Sequence, residues 1–146
     1  MPELSTDGLK FIQQFEGFSA VPYQDAAGLW TIGYGHLIQM GENLTYVSVE
    51  EANVLLRKDV QTAVRAVKRY IHIPLGQGQF DALVSFTFNS GSGALQRSTL
   101  RQKVNREEHE AAAVEFLRWV WAGGRKLPGL VRRRQAESDL YSSYTV

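Results

Sequence analysis

The chain of 146 residues contains no cysteine. That excludes a disulfide framework, a thiolate nucleophile and a thiolate metal site, and it suits folding in a reducing compartment. Neither terminus carries an apolar run approaching the roughly 20 residues of a membrane span. Met1 to Lys10 also lacks the basic start and apolar centre of a signal peptide. The chain is therefore expected to be made and kept soluble in the cytoplasm, without stable membrane insertion. Internal repeats and low-complexity tracts are missing as well. A large net charge is absent too: the balance is +1, with a pI near 8.0. That pI lies below the range of a nucleic-acid-binding domain, and the aromatic residues are not interleaved with the arginines. The small net charge hides a split, because residues 1–60 hold three Lys/Arg against eight Asp/Glu and residues 61–146 hold thirteen against seven.

What is present is enough for one domain. With 44% hydrophobic residues, a chain of this length can bury about two-thirds of its unfolded surface. Ser5, Thr6 or Asp7 can cap a first helix whose Leu9, Phe11, Ile12 and Phe15 recur at helical spacing, and Gly17 ends it just after Glu16. From Val21 to Leu37 the helical period is lost, and Asp25-Ala26-Ala27-Gly28 reads as a turn between residues of strand preference. Ser48 and Glu51 form a capping box that opens a long helix, expected to run to about Tyr70 and to stop before Pro74 and Gly76. Further helices are expected near 77–90, 94–105, 107–122 and 130–143, separated by Gly91 and Gly93, Asn105, Gly123-Gly124 and Pro128-Gly129. The fold class is α+β and mostly helical: a hairpin lobe at 17–47, a linking helix at 48–70, and a helical lobe at 74–146 that includes the N-terminal helix. A groove between two such lobes suits an extended polymer.

The residues with the most chemical content are Glu16, Asp25 and Thr31, at intervals of nine and six. A pair of acids separated by a chain reversal can face one another, one protonating a leaving group while the other manages water. Each has a plainer reading when taken alone: a solvated helix-end acid, a turn residue bonding its own backbone, and a strand residue. The glycines of Ile32-Gly33-Tyr34-Gly35-His36 do not make a dinucleotide loop, since position 38 is Ile and no helix follows directly. His36 is not joined by other histidines at metal-ligand spacing, so a structural histidine near the hairpin is expected. The Arg132-Arg133-Arg134 run reads as a solvated helix face, as a basic patch for an anionic envelope, or as the source of an arginine that orients Glu16.

The stretch from Phe15-Glu16-Gly17-Phe18 through Tyr23-Gln24-Asp25 to Gly28-Leu29-Trp30-Thr31-Ile32-Gly33-Tyr34-Gly35-His36-Leu37 resembles the phage-type lysozymes, the endolysins by which tailed phages leave bacteria. The family pattern of Glu, eight residues, Asp, five residues, Thr, then Ile-Gly-x-Gly-His, is matched without a gap. The resemblance implies a two-lobed lysozyme fold and hydrolysis of the β-1,4 bond between N-acetylmuramic acid and N-acetylglucosamine in peptidoglycan. Glu16 would be the general acid, with Asp25 and Thr31 holding water and stabilising the transition state. It further implies sugar contacts from Leu37, Phe88 and Thr99, with His36 beside them, and a pore-forming phage protein as the partner that lets the enzyme reach the periplasm.

No metal or organic cofactor is implied, since acid catalysis on an acetal needs only carboxylates and bound water. A monomer is expected, with wall recognition by the groove and surface charge. Two other readings stay open: a lytic transglycosylase, which closes an anhydro ring without water, and a wall-binding module that no longer cuts.

Overall fold

A computed structural model describes residues 2–143, so residue 1 and residues 144–146 of the expected domain lie outside the described residues. Seven helices and two small antiparallel sheets are found among them. The chain divides into two compact units. One holds Leu9–Gln61, and the other holds the residues before Leu9 together with those from Thr62 onward.

The sheet unit is built around a three-stranded sheet of β1 (Ser19–Gln24), β2 (Trp30–Gly33) and β3 (His36–Leu37), in that order. It also contains α1 (Thr6–Glu16) from Leu9 onward and α2 (Val49–Tyr70) as far as Gln61. The expected hairpin is thus present with a third strand added. Its core is Ile32, Val47 and Ala52, with Tyr34, Ile38, Leu44 and Leu55 packed around them. Gly33 is required here, because a Cβ would lie 3.1 Å from the Ala52 Cβ and the backbone φ is +67°. The capping box at the start of α2 forms as its sequence suggests: Ser48 Oγ accepts from the Glu51 N–H at 3.1 Å and the Glu51 carboxylate accepts from the Ser48 N–H at 3.0 Å.

The helical unit is organised on α3 (Gln77–Ser90). Eight consecutive residues, Phe80 to Thr87, are buried, so α3 is enclosed on every side and shows no amphipathic stripe. Around it lie α4 (Ser92–Arg97), α5 (Thr99–Asn105), α6 (His109–Phe116) and α7 (Pro128–Ser142). Phe86 meets Phe116 and Trp119 edge to face, with centroids 5.7 and 5.4 Å apart, an arrangement favoured by the ring quadrupoles. Ser5 caps α1 by accepting from the Gly8 N–H at 2.9 Å, and it also donates to the buried Asp81.

The expected helices were displaced in two places. The segment 94–105 is split at Ser98, whose hydroxyl accepts from the Arg101 N–H and starts a new helix. The helix expected over 107–122 stops at Phe116 and gives way to a two-stranded ribbon, β4 (Trp121–Ala122) and β5 (Arg125–Lys126). Gly123 and Gly124 both have positive φ, +58° and +76°, which is the backbone of a two-residue hairpin turn rather than a break between helices.

The arginine run also departs from a solvated face. Arg133 and Arg134 are buried with Glu137 on α7. Glu137 accepts from Ser85 Oγ at 2.5 Å, Arg133 Nε at 3.3 Å and Arg134 Nη1. Arg134 donates as well to the Trp119 carbonyl and to Asn89, and it lies over the Phe86 ring. Arg101 serves α2 in a similar way: with Asn105 it donates to the Tyr70 carbonyl, one of the acceptors a helix end leaves open.

Candidate active site

Glu16 is the last residue of α1, and Gly17 follows it in the left-handed region at φ +69°. The chain turns there into β1, which leaves the Glu16 side chain beside the β2–β3 turn. Gly35 in that turn has φ +76°, and a Cβ on it would stand 2.8 Å from Glu16 Oε1. The glycine is what lets the carboxylate and the turn approach so closely.

Asp25 begins the β1–β2 turn. Its Oδ1 accepts from the Ala27 N–H and the Leu29 N–H, both at 2.9 Å, and the turn closes with Gly28 N–H on the Asp25 carbonyl at 2.9 Å. This is the self-bonding turn geometry of aspartate. It fixes the direction of the carboxylate while Oδ2 accepts no hydrogen bond among the described residues. Thr31 is 3% exposed, and its hydroxyl donates to the Leu29 carbonyl at 3.0 Å. The peptide groups of Leu29 therefore hold both side chains, Asp25 by the N–H and Thr31 by the carbonyl. The threonine hydrogen is committed to that carbonyl, so its remaining capacity is to accept.

Cross-strand register groups the neighbours. Thr31 lies opposite Tyr23 on β1 and opposite Leu37 on β3, so the three side chains share one face of the sheet. The Tyr23 phenol is pushed above its ordinary value, first by partial burial and then by the charges of Glu16 and Asp25. Both acids thus act on one ring. Tyr23 was not among the residues singled out from sequence, although its place two residues before Asp25 on an extended strand puts the two on the same side.

His36 is 6% exposed. Its Nδ1 meets Asp59 Oδ2 at 2.7 Å and its Nε2 meets Glu42 Oε1 at 3.0 Å. Burial alone would lower its pKa, but the hydrogen bonds to Asp59 and Glu42 and their charges outweigh burial and raise it. Glu42 is held below the usual carboxylate range, first by the Gln39 N–H and then by His36. With both ring nitrogens engaged, His36 ties β3 to α2 and to the loop after β3. It precedes Leu37 on the same short strand. Leu37 itself is 42% exposed.

Phe88 and Thr99 belong to the other unit. Phe88 is half-buried and follows the enclosed run of α3, while Thr99 is exposed as the first residue of α5. Among the described residues no group of three His, Cys, Asp or Glu side chains is placed to hold a metal ion, and no helix is long and apolar enough to cross a membrane.

Residues 13–137 match the family model described as phage lysozyme. The endolysin of Acyrthosiphon pisum secondary endosymbiont phage 1 is 39% identical over 96% of this chain and 98% of its own length. The endolysin of Bacillus phage B103 is 42% identical over 94% of this chain, which spans 53% of that longer protein. Among solved structures, the muramidase domain of SpmX from Asticaccaulis excentricus superposes with a TM-score of 0.90 at 36% identity, covering 99% of this chain and all of that one. The chain is a hydrolase of the phage lysozyme family.

Proposed function

We propose that this lysozyme hydrolyses the β-1,4 bond between N-acetylmuramic acid and N-acetylglucosamine in peptidoglycan, with Glu16 as general acid and Asp25 and Thr31 as the residues that hold the attacking water. Glu16 gives its proton to the leaving oxygen. As the sugar ring approaches an oxocarbenium ion, Asp25 stabilises the positive charge, and water on the opposite face is oriented between its carboxylate and the Thr31 oxygen. Inversion at the anomeric carbon follows from that arrangement. The observation that carries the reading is the shared anchorage of Asp25 and Thr31 on Leu29. It gives a carboxylate of fixed direction and a hydroxyl left to accept, which is what a single water needs. The similarity to a muramidase domain supports the choice of bond.

In this reading Leu37, Phe88, Thr99 and His36 form the sugar-binding side of the site, and residues 1–146 act as one catalytic domain whose sheet and helical lobes are joined by α2. The enzyme works as a monomer on the cell wall and lyses the host once a pore-forming phage protein has given it access to the periplasm. Mass spectrometry of fragments released from purified peptidoglycan tests the reaction. Reducing N-acetylmuramic acid ends are expected, and an α-configured first product is expected by NMR. Ends in the 1,6-anhydro form would replace hydrolysis by lytic transglycosylation.

A further inference from the structure

The pairing of β1 with β2 is irregular between Ser19 and Tyr23. Pro22, which has no N–H to give to a ladder, stands inside that interval. An irregularity of this kind re-aims the side chains beside it. Tyr23 is the residue that re-enters the ladder, opposite Thr31, in the row that continues to Leu37. Thr31 is buried in the middle of this row, while Tyr23 is 37% exposed and Leu37 42% exposed. The row is therefore a buried hydroxyl flanked by two side chains open to solvent. Among the described residues the Tyr23 hydroxyl has no protein hydrogen-bond partner, so the exposed phenol is left available to solvent or a ligand.

We propose that Tyr23 is a substrate-contacting residue of the lysozyme reaction: its hydroxyl donates a hydrogen bond to an oxygen of the saccharide bound beside Asp25 and Thr31, and its ring packs against the sugar face. This rests on the assignment of Glu16, Asp25 and Thr31 made above. A saccharide offers ring, hydroxyl and N-acetyl carbonyl oxygens as acceptors and a C–H face for an aromatic ring, and a phenol serves both at once. The neighbouring carboxylates reinforce the donor role. Partial burial first, and then the charges of Glu16 and Asp25, disfavour ionisation of the phenol, so it keeps its proton and can donate. It does not compete with Glu16 as the proton source.

The test is steady-state kinetics on soluble peptidoglycan fragments for the wild type, Tyr23→Phe and Tyr23→Leu, with circular dichroism and thermal unfolding on the same samples. Tyr23→Phe is expected to lower kcat/KM roughly three- to ten-fold, the worth of one neutral hydrogen bond, mostly by raising KM and without a change in melting temperature. Tyr23→Leu, which removes the ring as well, is expected to lose more. A Phe variant with wild-type kcat/KM overturns the inference, and so does a loss that merely follows a fall in melting temperature. Absence of cleavage by the wild type overturns the underlying assignment instead, so the two failures are told apart.

Discussion

Gly35 lies against the Glu16 carboxylate so closely that no side chain fits between them: a Cβ would stand 2.8 Å from Oε1. The φ of +76° already favours glycine there. Gly35→Ala is thus expected to push Glu16 aside as well as strain the turn. Displacing a catalytic group by about 1 Å can cost about a hundred-fold in rate, and the strain costs about 1 kcal/mol or more. Turbidity clearing of peptidoglycan and thermal unfolding of the same variant measure the two effects, and clearing is expected to suffer far more than stability.

Asp25 has two separable roles. Its Oδ1 organises the turn through Ala27 and Leu29, and in the proposed mechanism its charge serves the transition state. Asp25→Asn keeps an acceptor for the turn and removes the charge, so it is expected to retain the wild-type melting temperature while losing about two orders of magnitude in kcat. Asp25→Ala is expected to lose stability as well. Equal melting temperatures for Asn and Ala variants would contradict the turn role.

The His36 cluster predicts a pH signature. Because the pKa of His36 is raised in the folded state above its ordinary 6.5, its contribution to stability is fully present below pH 6.5 and is lost as pH rises through the folded value. Glu42 runs the other way, its contribution being present above its ordinary 4.5 and lost as pH falls below it. Asp59 and Glu42 face the ring, and Lys58 acts on Glu42. The melting-temperature difference between wild type and His36→Gln should therefore be greatest between about pH 5 and 6.5 and shrink above neutrality. A difference that grows with alkaline pH would contradict this.

Glu137 holds two buried arginines. Glu137→Gln leaves their charges without that carboxylate in the core of the helical unit, where breaking a buried pair costs about 3–5 kcal/mol. Urea denaturation should show the loss. A cost below about 1 kcal/mol would mean that the pair behaves like an exposed one.

The elements that local chemistry specifies were legible in the sequence. The Ser48/Glu51 box and the helix it opens, the turn at Asp25 to Gly28, and helix α3 all lie where spacing and breakers place them. The interval from Glu16 to Thr31 singled out the candidate site because it spans a helix end, a turn and a strand within one short segment. What escaped was set by partners distant in sequence. Arg133 and Arg134 read as surface residues until Ser85, Asn89 and Trp119 from other elements surround them. Gly123-Gly124 punctuates helices equally well whether it breaks the chain or reverses it, and only the pairing of Trp121 with Lys126 decides. Tyr23 looked like one more strand aromatic, since register with Thr31 is a property of the folded sheet. Asp59 lies far along α2 from His36 in sequence, and only the fold brings it to the ring.

In the proposed mechanism everything turns on Glu16 as the proton donor. Clearing of purified peptidoglycan by the wild type and by Glu16→Gln, with circular dichroism on both, tests it most directly. Rapid clearing by the wild type and a loss of at least about a hundred-fold in the variant are expected, with both proteins folded. Undiminished clearing by folded Glu16→Gln would remove Glu16 from the mechanism, and with it the roles assigned to its neighbours.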